Sequence, residues 1–310
     1  MITARHDTTA DLVVDALNTR NASVFRCDTT EFLSSLRFSA SLDSTFPAWA
    51  GHIDGPVRRL DLADIRCAYY RRPGAFDPDK EFDEATRDWI SLQARLGFGG
   101  VLAATTRWFN HPSHIGYAEY KPVQLAAAAR AGLRLPRTLI TNEPAAAVAF
   151  AEEMGEVVYK PLSTAATPGK VIYTNRVSAA QLRDETIAQT AHLFQEWITK
   201  QCEIRLVVVD DRYFATEIVA KSSAAQVDWR TDYAALSYRT VDTPREIRAG
   251  LSRLLREFDL RFAAVDFAVT PEGNWVFLDL NPNGQWAWIA KNTGVNIAGA
   301  IADALIATPL

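Results

Sequence analysis

Hydrophobic residues recur along the chain at two different spacings, which predict a mixture of helices and strands. Apolar positions three and four residues apart are typical of amphipathic helices. They predict helices over residues 8–19, 81–104, 123–131, 144–154, 244–258 and 296–307. Short apolar runs between turn-forming residues predict strands over residues 1–4, 23–27, 65–70, 137–142, 157–161, 171–174, 203–209 and 213–220. This order of elements predicts an α/β (α+β) fold.

A β-hairpin is predicted near the C-terminal end of the chain. Two apolar runs, residues 262–269 and 275–280, flank the turn-forming string TPEGN. Two pairings of these runs are open. In one, Val269 pairs with Val276 and the strands are regular. In the other, Val269 pairs with Trp275 and the ladder needs a one-residue bulge.

Three oxygen-bearing side chains interrupt this apolar hairpin: Asp266, Asp279 and Asn281. Asp279 and Asn281 share a strand face because side chains alternate with a period of two, and Asp266 lies nearly opposite in either pairing. Such hard oxygen ligands suit Mg²⁺. The alternative is a set of strand-end carboxylates that face solvent. Unpaired carboxylates within apolar strands are costly, so a magnesium site is favoured.

Four cationic side chains stand where an anion could bind. Arg71 and Arg72 end a predicted strand, and paired guanidinium groups bind carboxylate or phosphate well. Lys121 opens a predicted helix whose dipole would also attract an anion, and Lys160 interrupts a run that resembles a buried strand. For the arginines and Lys121, the alternative is a solvated surface position. The small-residue loop 163–170 would let main-chain N–H groups approach a ligand, but it lacks P-loop spacing.

The composition is that of an ordinary globular protein, with 310 residues, 48% hydrophobic and 23% charged. A net charge of −4 and the absence of a long basic run argue against nucleic acid as a partner. Cys27, Cys67 and Cys202 are far apart in the sequence, so neither a zinc site nor a disulfide framework is indicated. No apolar run is long enough to span a membrane, and we expect a cytoplasmic protein.

The order of these features resembles the ATP-grasp superfamily, and more closely its ligases that mature ribosomal peptides, the graspetide or microviridin-type macrocyclases. The resemblance covers nearly the whole chain. Its most specific parts are the strings YRRP at 70–73, DWR at 228–230 and NPNGQW at 281–286. The resemblance implies an ATP-grasp fold in three parts: an N-terminal pre-ATP-grasp domain (1–110), a central lid domain (111–190) and a C-terminal domain with an antiparallel sheet (191–310).

The same resemblance implies a site for ATP and Mg²⁺. Lys121 and Lys160 would reach the nucleotide phosphates, and Glu203 would bind the ribose. The adenine would face a segment that comprises Gln195, Glu196, Trp197 and Ile198. The magnesium ligands correspond to the hairpin residues Asp266, Asp279 and Asn281. The middle ligand is usually Glu in that family, and the aspartate in this chain has a shorter reach.

The chemistry implied by the resemblance is ring closure in a ribosomal precursor peptide with a leader and an acidic core. An Asp or Glu side chain of the peptide would become an acyl phosphate, and a hydroxyl or amine of the same peptide would then close an ω-ester or ω-amide ring. Arg205 and Arg230 are the candidates for stabilising the acyl-phosphate oxygens. The acidic core would meet Arg71 and Arg72, and peptide recognition would also involve the DxR motif of Asp228 and Arg230. A homodimer is implied as well.

Two other functions stay open at the level of the sequence. One is an ATP-grasp ligase that joins two separate molecules, for example an amino acid to a protein C-terminus. The other is an ATP-binding regulatory module that has lost turnover, although the complete set of lysines and metal ligands argues against it.

Overall fold

The computed structural model describes residues 1–45, 48–105, 107–163 and 173–308. In chain order its helices are α1 (Thr8–Asn18), α2 (Glu84–Ala94), α3 (Gly100–Thr105), α4 (Pro112–Ala118), α5 (Lys121–Arg130), α6 (Pro144–Met154), α7 (Ser223–Val227), α8 (Arg245–Glu257), α9 (Ala287–Thr293) and α10 (Ile297–Ile306). The helices α1, α5, α6, α8 and α10 begin and end close to the predicted bounds, whereas α4, α7 and α9 were not predicted.

The long helix predicted over residues 81–104 is interrupted. A π-helical turn, Arg95–Gly99, joins α2 to α3. Three glycines lie in or beside this turn, and glycine weakens a regular helix because it adds backbone freedom.

The strands fall into separate sheets. The N-terminal strands are β1 (Arg37–Ser41), β2 (Ala50–Asp54), β3 (Arg59–Asp61), β4 (Ala68–Tyr69) and β5 (Trp108–Phe109). The central strands are β6 (Thr138–Thr141), β7 (Val157–Lys160), β8 (Asn175–Val177) and β9 (His192–Glu196). The C-terminal strands are β10 (Cys202–Val209), β11 (Arg212–Ala220), β12 (Leu236–Val241), β13 (Phe262–Val269) and β14 (Trp275–Asn281).

Two antiparallel sheets frame the functional part of the molecule. The central sheet has the order β6-β9-β7-β8, and the larger C-terminal sheet has the order β12-β11-β10-β13-β14. In the N-terminal part, β1, β2 and β3 form a small antiparallel sheet, and β4 pairs with β5 in parallel. The α/β prediction is confirmed.

The predicted strands at residues 1–4 and 23–27 are wrong. Only isolated bridges form there, and Ile2 makes each of them. The Arg26 guanidinium donates to the main-chain oxygen of Ala4 and so occupies an acceptor that a longer ladder would use. The predicted strand 171–174 and the small-residue loop lie partly outside the described residues.

The C-terminal sheet is buried on both faces, which explains why β10 is a continuous apolar run. Leu206 and Val208 point into a core covered by α5 and α8. The alternating Val207 and Val209 point into a second core, formed with α1, α9 and α10. Central strands covered on both sides have no polar face.

The C-terminal hairpin adopts the bulged pairing. Val269 pairs with Trp275, and the register shifts between Asp266 and Phe267, which brings Asp266 opposite Asp279. Without a bulge, the pairing of Val269 with Trp275 would put Asp266 and Asp279 one residue out of register. The bulge corrects this shift, so the two carboxylates lie opposite each other.

Within the described residues, no helix has the length and apolar character needed to cross a membrane.

Candidate functional site

An open cleft lies between the central and C-terminal sheets and encloses about 980 Å³, part of it open to solvent. Residues of β7 and β9 line one side, and residues of β10, β13 and β14 line the other. All of the residues predicted to contact the nucleotide line this cleft: Lys121, Lys160, Gln195, Glu196, Trp197, Ile198 and Glu203.

The two hairpin carboxylates line the cleft and are each held by a cation. Lys121 Nζ donates to Asp279 Oδ1 at 2.6 Å. Arg205 Nη1 lies 2.9 Å from both carboxylate oxygens of Asp266. The α5 side chain of Gln124 fixes the neighbouring main chain, because it exchanges two hydrogen bonds with Leu280. Both carboxylates therefore accept hydrogen bonds from cations and are held in defined positions.

Asn281, the third predicted metal ligand, lies at the end of β14, on the same strand face as Asp279. Its Oδ1 accepts a hydrogen bond from the main-chain N–H of Asn283 at 2.9 Å. Among the described residues, no group of three or more His, Cys, Asp or Glu side chains could hold a metal ion. The candidate set is thus two carboxylates and one amide oxygen, a hard donor set of the kind that Mg²⁺ accepts alongside water and phosphate.

Lys160 ends β7, is half-buried as a residue, and lines the cleft. Burial lowers its pKa to about 8, and the attraction of Asp279 offsets this only in part. Such a lysine gains more than a solvated one from a bound anion, because the anion replaces lost hydration.

The buried amide of Gln195 has a defined orientation. The Thr138 hydroxyl donates to the Pro136 carbonyl, which can only accept, so the same hydroxyl must accept from Gln195 Nε2 at 2.9 Å. Gln195 Oε1 is then left without a partner among the described residues. It is a buried acceptor on a residue that lines the cleft.

Glu203, the predicted ribose ligand, is paired with a lysine that the sequence analysis missed. Lys200 Nζ donates to Glu203 Oε1 and also lies 5.1 Å from the centre of the Trp197 ring. Arg176 stacks on this ring at 4.0 Å. Burial raises the pKa of Glu203, and Lys200 opposes that rise.

The DxR motif lies at the wall of the cleft. Asp228 is buried and accepts from Arg230 Nε at 2.8 Å and Nη2 at 2.6 Å. Burial alone would raise the pKa of Asp228, but the hydrogen bonds and the charge of Arg230, with a hydrogen bond from the Thr174 main chain, together outweigh it, and the pKa is lowered. Trp229, between them, packs on Trp288 and anchors the motif. The exposed Arg230 side chain is therefore a fixed cation.

The two predicted substrate arginines lie in different environments. Arg72 is exposed and donates from Nε to the main-chain oxygen of Asn283 at 3.1 Å. Arg71 is completely buried and paired with Asp7 at 2.8 Å. The expected contact between Arg71 and an acidic peptide therefore does not fit this structure, because the guanidinium is enclosed and its charge is already compensated.

Arg205 also differs from its expected position. It is predicted to stabilise acyl-phosphate oxygens, but its side chain is only 8% exposed and lies behind Asp266. Its second nitrogen, Nη2, donates to the main-chain oxygen of Gln285 at 3.2 Å.

Comparison with protein families assigns this architecture. The family model of the RimK-like ATP-grasp domain matches residues 118–305, which is more than half of the chain. The chain belongs to the RimK-like ATP-grasp family. The predicted ATP-grasp fold is thereby confirmed. A search of curated protein sequences gave no match.

Solved structures similar to this ATP-grasp chain include peptide-modifying ligases. The macrocyclase MdnC from Microcystis aeruginosa MRC, bound with the precursor peptide MdnA, is 27% identical, with a TM-score of 0.88 and 98% of each chain covered. A RiPP-associated ATP-grasp ligase from Chryseobacterium gregarium, in complex with ADP and a leader and core peptide, is 25% identical, with a TM-score of 0.89 over 100% of this chain and 96% of the other.

A third similar ATP-grasp ligase is PsnB, in complex with a phosphomimetic variant of its minimal precursor, Mg and ADP. It is 25% identical, with a TM-score of 0.77, and the match covers 99% of this chain and 97% of PsnB.

Some residues of the ATP-grasp site could not be found by reasoning from the sequence. Lys200 sits in a polar stretch with no periodicity, and its pairing with Glu203 depends on how β9 leads into β10. Gln285 was part of a recognised string, but only its contacts with distant residues give it a role.

Proposed function

We propose that this chain is an ATP-dependent carboxylate ligase that closes ω-ester or ω-amide rings in an acidic ribosomal precursor peptide. The observation that carries the proposal is the cleft, in which two lysines face two carboxylates, within a chain that matches MdnC over 98% of its length. The relatives with 25–27% identity include ligases bound to precursor peptides. The match also extends over the N-terminal part, which precedes the family domain.

ATP would lie in the cleft with its adenine against β9. Lys121 and Lys160 would neutralise the phosphates, and Glu203 would accept from the ribose hydroxyls. The free acceptor Gln195 Oε1 suits the exocyclic amine of adenine and repels the carbonyl oxygen found at that place in guanine. The remaining contacts would come from the main chain of Glu196, Trp197 and Ile198.

Magnesium would be held by Asp266, Asp279 and Asn281. PsnB, a similar ligase, has been seen with Mg and ADP. When bound, the ion supplies charge neutralisation at the phosphate oxygens. Lys121 pairs with Asp279, which is one of these ligands. Its ammonium group would therefore lie near the phosphates as well as near Asp279.

The reaction would proceed in two steps. A peptide carboxylate oxygen attacks the γ-phosphorus, the bond to the β,γ-bridging oxygen breaks, and ADP leaves. A hydroxyl or amine of the same peptide then attacks the acyl carbon, loses its proton, and expels phosphate. Arg230 stands at the cleft wall, where it can stabilise the phosphoryl oxygens. Arg205 would act on this reaction through Asp266.

The acidic core of the peptide would enter along the cationic side of the cleft. Arg230 is fixed by Asp228, and the exposed Arg72 lies near the end of β14. Both keep donors that a carboxylate could use. Arg71 is left out of this peptide surface because it is buried.

A homodimer would form through α2. Four large apolar side chains along one side of this helix region are exposed by 39–62%: Phe82, Trp89, Leu92 and Leu96. The start of α2 is acidic, because Asp83 is its N-cap and Glu84 lies in its first turn, and Arg95 follows its last residue. In an antiparallel pair about a two-fold axis, the acidic end of one helix meets the basic end of the other.

The chain would divide into three parts at about residues 110 and 190. Because β9 (His192–Glu196) pairs within the central sheet, the second boundary would shift to just after this strand. A cytoplasmic location would fit its three free cysteines and its need for ATP.

Incubation with ATP, Mg²⁺ and the acidic peptide encoded beside its gene tests the proposal. Ring closure removes one water mass for each bond formed and releases ADP, which mass spectrometry and a coupled assay measure. Addition of a residue mass to the peptide would instead identify a ligase that joins separate molecules. ATP binding without ADP release on any acidic peptide would identify a non-catalytic module.

A further inference from the structure

The segment that follows β14 is held in place by residues of the N-terminal part, far away in the sequence. We infer that Arg71 is a positioning residue, which with Asp7 locks Gln285 and through it orients Arg205 and the carboxylate of Asp266. The inference rests on the proposed function, because it concerns the same site. It gives Arg71 a role other than contact with the peptide.

Arg71 and Asp7 form an enclosed ion pair. The Arg71 side chain has no exposed surface, and its Nε lies 2.8 Å from Asp7 Oδ2. Asp7 is also the N-cap of α1, where its Oδ1 accepts from the N–H groups of Thr9 and Ala10. Burial opposes the ionisation of Asp7, but the charge of Arg71 and the hydrogen bonds from Thr3, Ala10 and Arg71 together outweigh it, and the pKa is lowered. The pair is therefore charged and tied to the start of a helix.

The other end of the Arg71 guanidinium binds Gln285. Arg71 Nη2 donates to Gln285 Oε1 at 2.6 Å, and the hydroxyl of Thr9 donates to the same oxygen at 2.9 Å. A guanidinium can only donate, so the atom it meets must be the amide oxygen. Two donors from the N-terminal part thus fix the side chain of Gln285.

The main chain of Gln285 connects this pair to the cleft. Its carbonyl accepts from Arg205 Nη2 at 3.2 Å, while Arg205 Nη1 lies 2.9 Å from both oxygens of Asp266. Arg205 therefore has one nitrogen on Gln285 and the other on a candidate metal ligand. A shift of Gln285 would rotate the guanidinium and move the carboxylate of Asp266.

The rest of the segment leaves no room for compensation. The carbonyl of Pro282 accepts from the buried Asn110 at 3.0 Å, and that of Asn283 accepts from Arg72 at 3.1 Å. At Gly284, a Cβ atom would lie 2.3 Å from the Cβ of Ala264 and 2.8 Å from Arg205 Nη2. The segment is thus in close contact with β13 and with Arg205 itself.

A purely stabilising role would not require this arrangement. Burying an ion pair costs desolvation on both partners, and apolar residues of similar volume often serve stability equally well. The contacts of Arg71 lead toward the cleft through polar atoms, which supports positioning rather than packing.

The decisive variant is Gln285→Leu, which removes the acceptor and leaves Arg71 paired with Asp7. We expect a fall in kcat of about 100-fold, the cost of a small misplacement of reacting groups, with ATP affinity close to that of the wild type. We also expect a higher Mg²⁺ concentration for half-maximal turnover. Gln285→Glu keeps an oxygen for both donors and should restore most of the activity. Gln189→Leu, the same change at an exposed position, should alter nothing.

A second measurement separates the inference from the proposed function. Mn²⁺ bound beside a non-hydrolysable ATP analogue, followed by electron paramagnetic resonance, reports the metal site without turnover or peptide. Weaker Mn²⁺ binding in Gln285→Leu and in Arg71→Lys is the expected result, even if no peptide is ever modified. Unchanged Mn²⁺ binding and unchanged Mg²⁺ dependence in Gln285→Leu would overturn the inference. If Arg71→Lys raised only the KM for the peptide, the inference would fail and Arg71 would be assigned to peptide binding.

Discussion

At the scale of single residues, the cleft combines charges whose ionisation depends on one another. Lys160 is the clearest case, because its pKa of about 8 lies far below the ordinary value of 10.5. Burial of the ammonium group causes this shift. A bound triphosphate would restore the lost stabilisation and draw a proton onto the lysine.

ATP affinity should therefore fall as the pH rises through 8. Above that pH the free protein has a neutral Lys160, so ATP binding must be accompanied by proton uptake. Between about pH 8 and 10.5 the unfolded chain binds more protons at this site, so this group's contribution to stability rises with pH while affinity falls. Calorimetric titration with ATP in two buffers measures the uptake. Lys160→Arg, which stays protonated, should flatten the profile, and a profile equal to the wild type would contradict the assignment.

Asp279→Asn should abolish ADP release while the protein still folds. The substitution removes a metal-binding charge and the partner of Lys121, but it keeps the size of the side chain. Asp266→Asn should have the same effect. Steady-state ADP release and circular dichroism measure the two properties. Wild-type turnover in either variant would remove the metal assignment.

Thr138→Val should weaken the selection of ATP over GTP. The valine can no longer accept from Gln195 Nε2, so the amide is free to present its donor to the nucleobase. Loss of one oriented hydrogen bond should reduce the ratio of ATP to GTP affinity by about five- to tenfold. Equilibrium dialysis with both nucleotides measures the ratio. An unchanged ratio would mean that the main chain alone selects the base.

At the scale of elements, the bulged hairpin and the segment after it form one unit. The bulge sets Asp266 opposite Asp279, and Gly284 lets the following segment approach β13. The ladder alone does not explain the close packing at Gly284. That packing comes from the contact of the segment with Ala264 and Arg205.

Gly284→Ala should lower both stability and activity. The added methyl group would overlap Ala264 and Arg205, so the segment must move outward. Overpacking of this kind costs roughly 1–3 kcal/mol in the free energy of unfolding. Urea denaturation measures this cost, and ADP release measures the activity. Gly273→Ala is the control. Gly273 lies in the hairpin turn at a positive φ, and a methyl group added there meets no neighbouring atom of the described residues. This variant therefore strains the backbone without a clash and should leave turnover unchanged. Full activity in Gly284→Ala would show that the segment tolerates displacement.

At the scale of the whole molecule, the apolar side chains of the α2 region are exposed in the single chain. Trp89 and Leu96 are 62% and 60% exposed. Large apolar patches on a monomer usually mark an interaction surface. The helical spacing predicted α2, but the apolar side faces away from the core.

Leu96→Glu should shift the protein from dimer to monomer, because a buried carboxylate would stand at the two-fold contact. Sedimentation velocity measures the change. Leu12→Glu is the matched control, since Leu12 is 40% exposed on α1 and lies outside the proposed surface. An unchanged sedimentation coefficient in Leu96→Glu would exclude α2 as the dimer surface.

Local patterns in the sequence determined most of the elements and the composition of the site. Helical and alternating periodicities act over short windows, so α6, α8 and the C-terminal hairpin could be predicted closely. The two lysines, the segment 195–198 and the hairpin carboxylates could be named because each interrupts a recognisable pattern or corresponds to a feature of the family. The sequence also left two hairpin registers open.

Only the tertiary structure decided which register forms and which charges meet. Arg71 and Gln285 are 214 positions apart, and nothing in either local pattern pairs them. The enclosure of Arg71, the pairing of Lys200 with Glu203 and the exposure of the apolar side of α2 depend on how sheets and helices pack. Burial and ion pairing are properties of the whole fold, whereas periodicity is a property of short segments, and this is why reasoning from the sequence placed Arg71 on the peptide surface.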